Sequence, residues 1–127
     1  VTTPQDIALI DAKKGLRMFQ KVNVPILGII ENMSVFICPH CGEVEHIFGE
    51  GGAKRMSEQY GVPLLGELPL SAKIREQADS GLPTVAAEPD GKEALMYREM
   101  AMKVAGALAR ITKDYTAKMP GIRVVND

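Results

Sequence analysis

A chain of 127 residues with 46% hydrophobic residues, 24% charged residues and a net charge of -1 carries enough apolar material for one buried core without disulfides. Its 15 Lys and Arg are interleaved with 16 Asp and Glu, which leaves no basic patch and excludes nucleic acid as the main partner. No apolar run reaches the length of a membrane span and no charged lead into an apolar core marks a signal peptide, so a cytoplasmic protein with no membrane partner is expected.

Residues 1–3 have β character and run into Pro4-Gln5-Asp6. Ala8, Ala12, Leu16 and Phe19 then recur at helical spacing, with Asp6 placed to cap the helix. Residues 24–30 form a continuous apolar run, the pattern of a parallel strand covered on both faces, and it stops at Glu31-Asn32-Met33-Ser34. After a Cys-bearing segment closed by Gly49, Gly51 and Gly52, Ala53, Met56 and Tyr60 share a helical face that Gly61 ends. Residues 63–68 read as a second buried strand, and Ser71 is placed to cap a helix that turns Ile74 and Ala78 inward. Residues 80–83 break that helix and a loop follows. The longest helix comes next, and its Tyr97, Ala101, Val104, Leu108, Ile111 and Tyr115 form a seam expected in the core. The tail, residues 116–127, lacks periodicity. Strands alternating with helices predict an α/β fold with a mainly parallel sheet, in which ligands sit beyond the carboxyl ends of the strands.

Both cysteines lie in Cys38-Pro39-His40-Cys41-Gly42, at the second of those ends. Two residues between thiols let a tight turn aim both sulfurs at one metal ion or cluster edge, and Gly42 accepts the backbone conformation that follows. In a reducing compartment such a pair reads as metal-binding or redox-active rather than as a structural bridge. Tetrahedral zinc needs four ligands and an iron–sulfur cluster usually four thiolates, so the rest must come from His40, His46, a second chain or a partner. Thiol–disulfide exchange is disfavoured, because that chemistry places its first Cys at a helix N-terminus and residues 44–48 are β-rich. Asn32, at a strand's carboxyl end, offers the donor and acceptor that a purine edge requires, or simply ends its strand. No phosphate-binding loop is found, since Ala53 and Arg55 occupy positions where the G-x-x-x-x-G-K-[ST] pattern needs Gly and Ser or Thr.

Taken together, Val1-Thr2-Thr3-Pro4-Gln5-Asp6, Gly28-Ile29-Ile30-Glu31-Asn32-Met33-Ser34, the CPHCG turn, Phe48-Gly49-Glu50-Gly51-Gly52 and Leu65-Gly66-Glu67-Leu68-Pro69-Leu70 follow one another as in the Mrp/ApbC family. The chain resembles these P-loop iron–sulfur carriers of the MinD-like ATPase group over residues 1–115. The resemblance implies the C-terminal half of a doubly wound P-loop NTPase-like domain, with a CxxC insertion at about residues 34–52 and a tail at 116–127. It implies a homodimer that shares a [4Fe–4S] cluster through Cys38 and Cys41 of each chain and passes it to recipient apoproteins. It places Asn32 on the adenine-reading position and Pro69 in the segment that flanks the base. Ser71 stands where many relatives carry an acidic residue. ATP and magnesium are expected only in a full-length protein, since the family's phosphate loop has no counterpart here, and no ATP hydrolysis is expected from this chain alone. Half a parallel sheet should also expose an apolar edge that favours self-association. The alternative from another class is a structural zinc module pinning a dimer through the same cysteines.

Overall fold

Thr2 pairs in parallel with Glu31, its N–H donating to the Ile30 carbonyl at 2.9 Å while Asn32 N–H donates to the Thr2 carbonyl at 2.7 Å. In this computed structural model, which describes residues 1–111, that bridge is the first rung of the sheet. Strand β1 (Ile29–Glu31) lies between the Thr2 segment and a parallel partner numbered β4 in chain order (Leu64–Glu67). Helix α1 (Asp6–Lys21) connects the Thr2 segment to β1, and α2 (Gly52–Tyr60) precedes β4. Then α3 (Ala72–Asp79), α4 (Thr84–Ala87) and α5 (Lys92–Ala109) follow. The parallel α/β architecture expected from the pattern is what forms.

The core lies where α1 and α2 meet β1. Leu9 and Leu16 of α1, Ile29 of β1, and Ala53 and Met56 of α2 are buried together with Val62. On β4, Gly66 leaves a notch filled by Met100 of α5: a Cβ there would lie 2.4 Å from Met100 Cγ. Gly28 does the same for Leu65, whose Cγ would be 2.3 Å from a Cβ. These glycines mark close approaches within the sheet and its helices.

Helices α1 and α2 end by one device. After α1, Asn23 takes φ 55 and Val24 N–H reaches back to the Phe19 carbonyl; after α2, Gly61 takes φ 64 and Val62 N–H reaches the Ser57 carbonyl. A left-handed residue just past the helix lets the next N–H satisfy an orphan carbonyl. Ser71 caps α3 as expected, its hydroxyl accepting Ile74 N–H at 3.4 Å.

Several expectations are corrected. The helix cap before α1 is Gln5, with no side-chain bond, and Asp6 is the first helical residue, where a negative charge still faces the helix's positive end. The inward face of α1 runs through Leu9 and Leu16, while Phe19 is exposed. Of residues 24–30 only the last two join the ladder; Pro25 has no N–H to give one, and the left-handed Asn23 redirects the chain just before it. Ala86 and Ala87, expected in a loop running on to Gly91, instead belong to a short helix over Thr84–Ala87. On α5 the buried positions are Ala94 and Met100, because the helix crosses β4 at Gly66; Ala101 and Leu108 of the expected seam are exposed. Tyr115 of that seam and the tail at 116–127 lie outside the described residues. Apolar side chains are exposed in the first part of the chain: Val1 is 88% exposed, and Ile7, Phe19, Val22 and Val24 are exposed as well.

Candidate metal centre

Beyond Glu31 the chain leaves the sheet and returns at α2. Between them stands an antiparallel hairpin, β2 (Phe36–Ile37) and β3 (Val44–Glu45), with Phe36 opposite Glu45 and Ile37 opposite Val44. Its base is tied to β4's continuation, where Ser34 N–H donates to the Leu68 carbonyl at 2.9 Å and Leu70 N–H to the Val35 carbonyl at 2.8 Å. Cys38 and Cys41 occupy the tip. Cys38 N–H donates to the Glu43 carbonyl and Gly42 N–H to the Cys38 carbonyl, a turn that closes only because Gly42 takes φ 74.

That turn does chemistry on Cys38. The backbone N–H groups of Cys41 and His40 point at its sulfur, and the Cys41 thiol adds a further hydrogen bond; together they hold the Cys38 thiol below the ordinary thiol range, although partial burial and the Glu45 charge push it up. Donors aimed at a sulfur favour the thiolate, the form that binds metal. Both thiols are free, Cys41 is exposed and Cys38 half-buried, so an incoming ion or cluster can reach them.

His40 sits exposed in the turn and contributes through its backbone. His46 is not beside the sulfurs. It lies at the hairpin base, where a carbonyl can only accept, so Nδ1–H donates to the Ser34 oxygen at 3.1 Å. Opposite Val35 in the continued register, it is three residues of extended chain from the tip, roughly 10 Å. Among the described residues no group of three or more His, Cys, Asp or Glu converges on one point. The structure thus brings the two cysteines together with no third such group beside them among the described residues.

Asn32 and Pro69 both stand at carboxyl ends of the sheet but line separate clefts. Asn32 shares one with Thr3, Ala8 and Asp11, and Pro69 one with Ser34, Met96 and Lys103. Asn32 Oδ1 accepts Met33 N–H at 2.9 Å, and Met33 follows at φ 56, a left-handed conformation that side chains other than Gly rarely adopt.

One residue had no role assigned from sequence. Glu31 is 1% exposed, and its Oε2 accepts Ala53 N–H at 2.6 Å in the first turn of α2. Helix α2 opens on Gly51 and Gly52, has no side-chain cap and no acidic residue in its first turn. Its N–H groups need an acceptor from elsewhere, and the buried carboxylate supplies one. Two signals were available: a helix opening on glycines alone, and an acidic residue two positions after Ile29 on the same inward face of a strand.

Comparison with protein families matches residues 1–105 to the model described as NUBPL iron-transfer P-loop NTPase. The iron–sulfur cluster carrier protein of Pseudomonas fragi is 58% identical over 102 residues, which are 80% of this chain and 36% of that protein. The carrier protein of Escherichia coli K12 is 56% identical over 85% of this chain and 29% of its own length. The iron–sulfur cluster transfer protein NUBPL of Dictyostelium discoideum is 46% identical over 90% of this chain and 35% of its own length. The chain therefore spans about a third of these curated relatives. Among solved structures, a nucleotide-binding protein in complex with ADP from Archaeoglobus fulgidus is similar with a TM-score of 0.60 and 30% identity, covering 76% of this chain and 38% of that one. The cell division ATPase MinD of Pyrococcus furiosus is similar with a TM-score of 0.64 and 26% identity, covering 84% of this chain and 40% of its own.

Proposed function

The chain belongs to the NUBPL iron-transfer P-loop NTPase family, and from that premise we propose that it is the cluster-holding part of an iron–sulfur carrier, with Cys38 and Cys41 as the ligands. The observation that carries this reading is the tip of the hairpin: two adjacent thiols, with backbone donors aimed at one of them and no third donor converging among the described residues. Two thiolates are half of what a [4Fe–4S] cluster takes. A second copy of the chain related by a two-fold axis supplies the same two again, and the cluster is then shared across the pair.

The cluster is cargo. Delivery is ligand exchange without redox change: a thiol of the recipient apoprotein binds iron as a thiolate, the iron–sulfur bond to Cys38 or Cys41 breaks, and the recipient's proton passes to the released sulfur. The exposed tip admits such a recipient, and the N–H groups facing Cys38 ease the loss of its proton when the next load is taken up. Asn32 and Pro69 are proposed to flank a nucleotide base in the longer protein, supported by their places at the carboxyl ends of the sheet. The partial domain at residues 1–115 with its insertion at about 34–52 is the unit proposed to carry these parts. ATP and magnesium would act through segments outside this chain, in a cytoplasmic protein whose described helices include none long and apolar enough to cross a membrane.

Anaerobic reconstitution with iron and sulfide, followed by metal and sulfide analysis, tests the assignment. The parent chain should turn brown and bind both, and a Cys38→Ala, Cys41→Ala double variant should stay colourless. Equal loading of the two would refute it.

A further inference from the structure

The hairpin that carries the sulfurs is small. Two residue pairs make its ladder, and a two-stranded ribbon of that length is not stable alone in water. Its outgoing arm is anchored to the sheet by backbone bonds at Ser34 and Leu70. The returning arm, residues 44–48, has no such backbone anchor among the described residues. Apart from its ladder with β2 and a local turn in which Gly49 N–H donates to the His46 carbonyl at 3.0 Å, its one hydrogen bond among the described residues is His46 Nδ1–H to the Ser34 carbonyl.

We propose that His46 is the positioning residue of the Cys38–Cys41 tip, its ring N–H pinning the returning arm to a fixed post at Ser34. The proposal rests on the carrier reading and adds a residue to it. Ser34 is a rigid post because it is buried and holds the Leu68 carbonyl twice, by its N–H at 2.9 Å and its hydroxyl at 3.2 Å. His46 itself is 39% exposed on its side chain, so packing alone does not hold the ring. Its Nε2 lies 3.9 Å from Glu50 Oε1, too far for a hydrogen bond, which leaves Nδ1 as the nitrogen that orders the arm. Losing the anchor frees β3, and with it the Glu43 carbonyl that takes Cys38 N–H and shapes the turn around the sulfur. The same post is two residues from Asn32, so the anchor joins the sulfur-bearing tip to the strand-end turn with the left-handed Met33.

The test compares the parent with His46→Ala and His46→Asn, whose amide nitrogen falls where Nδ1 stands and keeps the donor. With the chain loaded anaerobically, cluster loss to a chelator is followed by visible absorbance. Residues that orient metal ligands typically change affinity by about 10–100-fold. His46→Ala should release the cluster at least about tenfold faster at an unchanged denaturation midpoint, and His46→Asn should return to within about threefold of the parent. Release from His46→Ala at the parental rate, or no rescue by His46→Asn, overturns the proposal while leaving the carrier reading intact. In the metal-free chain, amide hydrogen exchange at Cys38 and Gly42 gives a second measure that needs no cluster. Exchange should quicken in His46→Ala and not in His46→Asn, and unchanged exchange overturns the proposal. A parent that takes up no cluster overturns the carrier reading instead, and the exchange result then decides the anchor by itself.

Discussion

Removing the Glu31 carboxylate should unfasten α2 from β1. In Glu31→Ala, the 2.6 Å bond from Ala53 N–H is lost and that donor is left in a site that is fully buried. A hydrogen bond to a charged group contributes about 1.5–3 kcal/mol, and a negative charge at a helix N-terminus adds about 0.3–1 kcal/mol. The carboxylate's own desolvation, relieved by the substitution, offsets part of this. The net loss should be about 2–3 kcal/mol, a drop in Tm of roughly 10 °C for a domain of this size. Glu31→Gln keeps an amide oxygen for Ala53 N–H and gives up only the charge, so it should cost about 1 kcal/mol. Urea unfolding of the three proteins, followed by far-UV circular dichroism, measures both differences. Should Glu31→Ala fall within about 0.5 kcal/mol of the parent, the carboxylate does not cap α2; should Glu31→Gln cost as much as alanine, charge rather than the hydrogen bond is what matters.

The remaining expectations concern the tip and the notches. Because its thiol lies below the ordinary range, Cys38 should react with iodoacetamide at lower pH than a free thiol such as N-acetylcysteine; a matching pH profile by mass spectrometry would contradict the donor geometry. The sign for metal follows: loading is complete at high pH and is lost as pH falls through the lowered Cys38 value, so Gly42→Ala, which strains the φ 74 turn and loosens its donors, should shift the loss to higher pH in a cobalt titration. His40→Ala should leave iron loading unchanged, since His40 acts through its backbone N–H, and a large loss would make its ring a ligand. Gly28→Ala places a Cβ 2.3 Å from Leu65 Cγ, inside the sheet, and should lower stability by about 1–3 kcal/mol in the same urea assay.

The two sulfurs, the parallel strands and the Ser71 cap were legible because each has a local signature: spacing, a continuous apolar run, a hydroxyl three residues before the N–H it accepts. What the sequence did not show were placements decided across the sheet. On α5 the buried position is Met100 rather than Ala101, because Gly66 opens room for a long side chain that helical periodicity cannot anticipate; on α1 Leu16 is buried as expected and Leu9 joins it in place of Ala8. Glu31 reads as the polar end of an apolar run until α2 is seen opening on two glycines, with the Ala53 N–H that it accepts 22 residues later. His46 was one source considered for the missing ligands; register sets it away from that role, since its pairing places it at the base of the hairpin and the cysteines at the tip.

A site that must release its load differs physically from one that only has to keep it. A structural metal site is closed, with four ligands from one fold and a buried shell, and its binding energy is folding energy. Here the only thiols are two, they sit at the end of a two-rung ladder, and Cys41 is exposed to any approaching nucleophile. The core around Leu9, Ile29 and Met56 forms without reference to the tip. On the proposed carrier reading, stability is separated from cargo: the sheet holds the base of the hairpin through Ser34 and Leu70, while the sulfurs fill and empty with little change to the core beneath them.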